Sequence, residues 1–510
     1  MLLNDLSGRG SVVVDADFVV VGAGTVGLLT AARLAERTGN KVICLESGGG
    51  HQEGETHPLN EVVHGATTYR GAEKGRFRCL GGTSTRWGGA LIPFQESDLK
   101  NAAWPITVED LTPYIAELES IFGLNTGPYS DPNFPFDLGS EHINRLAKWP
   151  PFKNRNVANL FDKPLHDSEN LSVWLNSHVV EIRNIDNGVL VSARSDNGDS
   201  IEIRAQKVII AAGAIETTRL ALLIDKNHNF PISSQTSSLG RFFTDHISVD
   251  VGEIENPNRK ILNNILGFRF ETNGVMRNIR FELSQNAGAR GILPPSFTHI
   301  GFSSEKRGGF DVLRELFQFF QRRSLPPLRL GFELLANVPW LLKALWWRFI
   351  KNRLLFPQDA KLIVHVVIEQ ESVPENFIRL SNEYFDKFNQ PLAEIFWSVT
   401  NKDKNNIINT AKLFRETWNS SDLARYGKLR LLDADHVWKN LDDSGGIYHP
   451  TGSTRMASHA EDGVVDRDLN IFGFDNIQLL STSVLRTGGG ANPTMMLLLL
   501  ALRCVDQHCN

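Results

Sequence analysis

Six residues near the N-terminus, Gly22-Ala23-Gly24-Thr25-Val26-Gly27, constrain this chain more than any other stretch. They follow Asp17–Val21 (DFVVV), a run of β-branched and aromatic residues that suits a strand buried on both faces. After them comes LLTAARLAERTGN, apolar at helical spacing, with Gly39-Asn40 as its stop. KVICLES then reads as a second strand ending in an acid, Glu46, followed by Ser47. Strand, glycine turn, helix, strand and acid in that order make a βαβ dinucleotide unit. Gly22 allows the tight turn, Gly24 lets the backbone approach a pyrophosphate, and Gly27 lets helix and strand pack closely. The amides around Thr25 and Val26 would face the anion at the helix N-terminus, and Glu46 would accept hydrogen bonds from ribose hydroxyls. The turn alone does not separate FAD from NAD.

At 510 residues the chain can bury a large core, and its apolar and charged fractions are those of an ordinary globular protein. A net charge of -5 gives no sign of a nucleic-acid partner. Cys44, Cys79, Cys504 and Cys509 show neither metal-ligand spacing nor a disulfide framework, so no metal is expected and a reducing compartment fits. No secretory signal is visible at the start, and no stretch is apolar for the ~18 residues a membrane span needs. A cytoplasmic location follows as the expectation.

Further along, residues 173–182 and 188–194 read as strands, Asn197-Gly198 as a hairpin signal, and 207–214 as a buried strand ending in Ala212-Gly213, with a helix over 216–224. These signals divide the chain into a discontinuous cofactor domain (12–105, 165–255 and 440–510), a helical or looped connection (106–164) and a substrate domain (256–439). Sequence after Ser444 returns to a glycine-rich, low-charge character.

Three more glycine-rich segments carry chemistry: Arg78-Cys79-Leu80-Gly81-Gly82-Thr83-Ser84-Thr85-Arg86-Trp87-Gly88-Gly89, then Tyr448-His449-Pro450-Thr451-Gly452-Ser453-Thr454-Arg455-Met456, then Thr487-Gly488-Gly489-Gly490-Ala491-Asn492-Pro493-Thr494. With VVVGAGTVG, LESG, VIIAAGAIETTRLAL and LGRFFTDH they form an ordered set across nearly the whole chain. That set resembles the glucose-methanol-choline (GMC) oxidoreductase family, and looks closest to its pyranose oxidase, sugar dehydrogenase and cholesterol oxidase branches. The stretch 255–440 matches only weakly.

The resemblance implies an α/β fold: a Rossmann-like FAD-binding domain of the GMC/PHBH type, beside a substrate domain built on a mainly antiparallel sheet with helices. It implies FAD as cofactor and oxidation of an alcohol to a carbonyl, with hydride passing to flavin N5 and the proton to a histidine. His449 falls on the family's catalytic histidine and Asn492 on its second active-site position. Arg78, Gly82, Thr83, Ser84, Trp87, Gly88 and Gly89 fall along the flavin, Val179 on a backbone contact to adenine, and Ala212, Gly213 and Ser483 on further cofactor contacts. Asn492, Pro493 and Thr494 open the last helix, whose dipole favours negative charge at the isoalloxazine carbonyls. The chemistry suits these types: a histidine near its ordinary pKa of ~6.5 accepts a hydroxyl proton, and an asparagine amide donates to a developing alkoxide. His246, although in a matching segment, reads as structural.

Two positions depart from the family. Arg86 stands where several relatives carry a histidine that bonds the flavin covalently; a guanidinium is a poor nucleophile, so dissociable FAD is expected. Ser481 stands where many have aspartate. The substrate expected by branch is a sugar or glycoside hydroxyl, with a sterol, long-chain or lipid-linked alcohol as the alternative and a flavin-binding module without turnover as the lesser one. Oxygen, a quinone or a carrier protein would take the electrons.

Residues 311–356 stand apart. Arg314, Arg322, Arg323, Arg329, Lys343, Arg348, Lys351 and Arg353 outnumber Asp311, Glu315 and Glu333 among many large apolar residues, and Pro326-Pro327 and Pro339 cut the stretch into two or three helices. It reads as an interfacial anchor on the inner face of a membrane, with Trp340, Trp346 and Trp347 entering the headgroup boundary, or as a lid or an interface.

Overall fold

The strand that leads into the glycine turn, Ser11–Val21, runs at the centre of a mostly parallel sheet in the computed structural model, which describes residues 3–52, 54–304, 307–357, 360–444 and 447–509. Gly445 and Gly446, which open the glycine-rich return, lie outside the described residues. Val42–Leu45 and Ser200–Ile210 pair parallel on either side of the central strand. Leu171–Leu175 continues the sheet beyond Val42–Leu45 and is followed by Leu3–Asp5, both parallel. On the far side, Gly188–Arg194 and His178–Ile185 add an antiparallel pair, and Ile477–Leu479 returns from the C-terminus to run beside Val208–Ile210. Val19, Val20, Ile43, Val208 and Ile209 are buried because helices cover both faces.

The stretch 173–182, expected as one strand, is two. Asn176 adopts φ +53°, a left-handed conformation that asparagine tolerates, and its side-chain amide is anchored on Asp5 at 2.9 and 3.0 Å. The chain therefore leaves a parallel pairing at Leu175 and enters an antiparallel one at His178. Asn197-Gly198 does join two antiparallel strands, Gly188–Arg194 and Ser200–Ile210. The helix Thr494–Asp506 is apolar almost all round and is buried accordingly, packed on helix Thr25–Thr38.

A second, antiparallel sheet runs Arg269–Phe270, Met276–Leu283, Ser296–Ser303, Lys361–Glu369, His246–Glu255 and Lys428–Leu431, with His142–Trp149 also paired to Met276–Leu283. Two of these strands come from sequence expected elsewhere. His246–Glu255 lies in the part assigned to the cofactor domain, and His142–Trp149 in the connection expected to be helical or looped. His246–Glu255 alternates polar and apolar residues, a pattern that names a half-buried strand without naming its sheet, and His142–Trp149 lacks even that alternation. Ile247, Val249, Ile279, Phe281, Ile300, Val364, Val366 and Ile368 form one core with Phe414 and Trp418 of helix Asn401–Ser420. Successive strand residues point to opposite faces, so His246, Ser248, Arg280, Glu282, His299, His365 and Glu369 share the other face.

The basic aromatic stretch forms three helices, Gly309–Gln321, Leu328–Ala336 and Val338–Trp346, the last continuing as a π turn over Trp347–Lys351. Of the tryptophans expected to face outward only Trp346 does. Trp347 is buried, and Trp340 packs on Gly309, where a Cβ would sit 2.6 Å from its ring. Among the described residues no helix is long and apolar enough to cross a membrane.

Candidate active site

The glycine turn is built as its spacing requires. Gly22 has φ +101°, and a Cβ there would lie 2.8 Å from the Ala211 carbonyl oxygen; a Cβ on Gly27 would lie 1.9 Å from the Gly22 carbonyl oxygen. Gly24 differs, because a Cβ there would meet only the Gly82 Cα, at 3.9 Å. Gly24 is also the N-cap of helix Thr25–Thr38 and offers no side-chain cap, so the first amides of that helix, Thr25 and Val26 among them, face open space. The second glycine segment is laid directly on the first: Gly81 N–H donates to the Ala23 carbonyl at 2.9 Å, and Leu80 N–H to Gly49 at 3.0 Å.

Glu46 is buried and accepts from the amides of Ala23 and Gly48, each at 2.9 Å. Burial pushes its carboxyl up, and those amides oppose the rise. Its position thus ties the second strand to the glycine turn, next to Leu45 and Ser47 of the cleft where a ribose would lie. That cleft is lined by Gly22, Ser47, Arg78, Val179, Ala212 and Glu216. Arg78 donates to Ser47 Oγ at 3.0 Å, Asn60 Oδ1 at 2.9 Å and Glu216 Oε2 at 2.8 Å. Burial opposes ionisation of Glu216, but Arg219 and Arg78 outweigh it and hold the group well below the usual carboxylate range. Gly213, φ +77°, caps helix Ala214–Asn227 with open space around it. An uncapped helix start, two facing glycines and a side pocket with an arginine fit the phosphates and nucleoside of an FAD.

Along the second segment, Thr83, Arg86 and Gly88 are exposed, while Ser84 is buried and receives the Val157 amide at 3.0 Å. Trp87 donates its indole N–H to the Arg155 carbonyl at 2.6 Å. A Cβ on Gly88 would lie 2.7 Å from the Trp149 ring, which brings this backbone against the second sheet; Gly89 takes φ +88° beside Arg155. Ser483, expected as a cofactor contact, lies in the turn Thr482–Val484. Its hydroxyl is fully buried between Ser481 Oγ and Thr454 Oγ1, both at 2.6 Å, and stitches the two C-terminal segments together.

His449 is held by a buried carboxylate that sequence reasoning passed over. Asp245 accepts from the amides of His449 at 2.7 Å, Tyr448 at 3.0 Å and His246 at 2.7 Å, and from the Tyr69 hydroxyl at 2.7 Å. Burial raises the Asp245 carboxyl to about 6 against these donors. Tyr448 sits at φ +64°, a left-handed conformation rare for a residue with a Cβ, directly before His449. The His449 ring is half-buried, and among the described residues its Nδ1 has no hydrogen-bond partner. Crowding by protein, then the nearby His246 and Arg280, push it down to about 3. The expectation of an ordinary histidine pKa is thus corrected: the ring is neutral at pH 7 with a wide margin. His246 stands 5.8 Å away, ring centre to ring centre, and uses Nε2 to donate to the Gly489 carbonyl at 2.8 Å.

Asn492 is oriented by Arg280, whose guanidinium donates to Asn492 Oδ1 at 3.0 Å. With its oxygen engaged, the asparagine presents Nδ2, a donor, on its other side. Pro493 and Thr494 follow directly and start helix Thr494–Asp506. Arg280 is buried, lies 4.1 Å from the Phe297 ring centre and has its own pKa lowered to about 10, first by burial. Glu369 accepts from the Gly488 amide at 2.7 Å and is raised to about 7 by burial. Beyond lies a histidine pair, His299 and His365, ring centres 4.9 Å apart, with His365 Nδ1 on Asp250 at 2.6 Å and Nε2 on Ser248. Arg280, Glu369, His299 and His365 were not singled out from sequence. Their only signal is polar alternation along strands, which a solvent-facing sheet shows equally.

Among the described residues no cluster of three or more histidine, cysteine, aspartate or glutamate side chains is arranged to hold a metal, and Cys44, Cys79, Cys504 and Cys509 are free.

Comparison with known proteins adds to this geometry. The GMC oxidoreductase family profile matches residues 372–501. A 2-methyl-1,2-propanediol dehydrogenase of Mycolicibacterium austroafricanum is 22% identical, with 96% of this chain and 94% of that protein aligned. An uncharacterized GMC-type oxidoreductase from the thcA 5' region of Rhodococcus erythropolis is 27% identical over 41% of this chain and 52% of its own length. The crystal structure of pyridoxine 4-oxidase from Mesorbium loti shares the fold, with TM-score 0.59, 14% identity, and 96% of this chain and 99% of that one covered.

Proposed function

We propose that this chain is a GMC-type oxidoreductase that acts on a CH–OH group as an oxidase or a dehydrogenase, with His449 the base and Asn492 the hydrogen-bond donor in oxidation of a small, hydroxyl-rich alcohol. FAD is the cofactor the family implies, and when bound it supplies the hydride acceptor. The rest is the work of this chain's own residues. The neutral His449 ring, with a nitrogen lone pair free, takes the hydroxyl proton as the alkoxide develops. Asn492 Nδ2 donates to the same oxygen, held in that sense by Arg280 on Oδ1. Asp245 fixes the His449 backbone and so the point from which the ring reaches the substrate.

The observation that carries this reading is the neutral His449 imidazole with an unpartnered Nδ1, together with an asparagine whose oxygen is already held by Arg280. The substrate class rests on the polar face of the antiparallel sheet: Ser248, His299, His365 and Arg280 share it and suit a diol, sugar or other hydroxylated compound better than a sterol. The named relatives act on a diol and on pyridoxine, by their names also hydroxylated. His449→Ala is expected to slow anaerobic bleaching of the flavin by an alcohol by ~10²–10⁴-fold, and bleaching at the wild-type rate would remove His449 as base. Because Arg86 stands where several relatives carry the flavin-linking histidine and a guanidinium is a poor nucleophile, we propose that the FAD is dissociable. Acid precipitation should leave yellow colour in the supernatant, and a yellow pellet would mean a covalent link.

A further inference from the structure

The helical insert turns its apolar side outward. On Val338–Trp346 and its π continuation, the exposed large side chains are Val338, Leu342, Leu345, Trp346, Phe349 and Ile350. Their spacing, i, i+4, i+7, i+8, i+11 and i+12, is that of one stripe along a helix. The preceding helix adds Leu328, Phe332 and Leu335, at i, i+4 and i+7, with 88%, 74% and 70% of their surface open. A helix packed on a globular core normally points such a stripe inward. Here the regular apolar face looks into solvent, and most of the exposed large apolar residues of the described chain lie in this one segment.

Charge selects what covers it. The chain as a whole carries -5, yet no acidic residue occurs between Leu334 and Phe356, where Lys343, Arg348, Lys351 and Arg353 all lie. Arg353 turns inward to the Asn264 carbonyl and Arg348 stacks on Phe270 at 4.0 Å. Lys343 and Lys351 remain exposed beside the stripe. A second copy meeting this face about a two-fold axis would bring two lysine-edged patches together with no acid between Leu334 and Phe356 to neutralise them. A bilayer with anionic headgroups matches both features at once, taking the apolar side chains into its acyl boundary and the lysines at its surface.

We propose that this stripe is a membrane-docking face that lies in the headgroup boundary of an anionic bilayer without crossing it. The helix that packs against the two carrying this face, Gly309–Gln321, is fastened to the cofactor segment: at its C-terminal end the Gln321 side-chain amide donates to the carbonyls of Ser84 at 3.0 Å and Trp87 at 2.9 Å. Docking therefore brings the edge of the cofactor cleft towards the bilayer, where a lipid-soluble quinone is concentrated. The docking claim itself does not depend on which residue acts as base.

Vesicle co-sedimentation of the full chain tests it. Wild-type protein should pellet with vesicles of phosphatidylcholine mixed with phosphatidylglycerol at least about tenfold more tightly than with phosphatidylcholine alone. Replacing Leu342, Leu345 and Phe349 together by Glu should abolish pelleting with both vesicles, while the thermal melt stays that of the wild type because all three are exposed. A Lys343→Glu, Lys351→Glu pair, which leaves the apolar stripe intact, should lose the preference for the anionic vesicle. Wild-type protein that stays in the supernatant with both vesicles overturns the proposal, as does a triple variant that pellets normally. So does a wild-type dimer, measured by light scattering, that the triple variant converts to monomer, since the occupant would then be a second copy.

Discussion

The two sheets meet at the candidate site but are built on different principles. On the parallel sheet the working surface is backbone: Gly22, Gly24 and Gly27, the amides of Thr25 and Val26, and the Gly81–Gly82 segment laid over them. On the antiparallel sheet it is side chain: Arg280, His299, His365, Ser248 and Glu369 on one face, with His246 joining them to the Gly489 loop. A phosphate is the same in every ligand of its kind and can be met by amides at fixed spacing. A substrate differs from relative to relative, and its contacts are free to change with side chains on a conserved frame.

The contrast predicts where substitutions break the fold and where they break only a function. Gly27→Val should have the largest effect, because its Cβ would lie 1.9 Å from the Gly22 carbonyl oxygen. We expect little or no folded protein, and a normal thermal melt would refute the packing. Gly24→Val has room, since nothing lies nearer its Cβ than 3.9 Å. It should fold with a near-normal melt yet purify colourless, and retained yellow colour would show that the phosphates lie elsewhere.

Effects on the side-chain sheet should be smaller and graded. Arg280→Met removes the donor to Asn492 Oδ1 and leaves the Glu282–Arg145 pair at 2.9 Å in place. Loss of a buried charged hydrogen bond of this kind costs about 2 kcal/mol, and kcat should fall by about tenfold with the flavin spectrum unchanged. Equal kcat would separate Asn492 from Arg280.

The pH dependence sharpens the comparison further. His449 sits at about 3, so the acid limb of kcat/KM should lie well below pH 6.5, and a limb at 6.5 would contradict a desolvated base. Stability responds in two opposite senses. His246, lowered to about 4, is neutral in the fold while the unfolded chain binds a proton below about 6.5, so its contribution falls as pH drops through that window. Glu369, raised to about 7, binds its proton in the fold first, so its contribution grows as pH drops from 7 towards 4.5 and is lost as pH rises through 7. His246→Gln should therefore make the melting temperature less acid-sensitive between pH 6.5 and 4, and Glu369→Gln more so. Slopes that move together would show that one of the two groups is not desolvated as described.

The sequence alone determined the backbone half of this protein. Glycine turns, caps and buried parallel strands depend on a few residues close together in the chain, and Gly22 to Glu46 states a whole βαβ unit. It also marked His449 and Asn492, because each sits in a distinctive short segment. The tertiary structure decided the rest. It moved His246–Glu255 and His142–Trp149 into the second sheet, since strand alternation specifies a face and not a partner. It turned Trp347 inward and Leu342 and Phe349 outward, because periodicity reveals an apolar stripe but not its direction. It set the His449 pKa at about 3 and placed Asp245 beneath it, since desolvation and hydrogen bonding arise from atoms brought together across 204 positions of the chain.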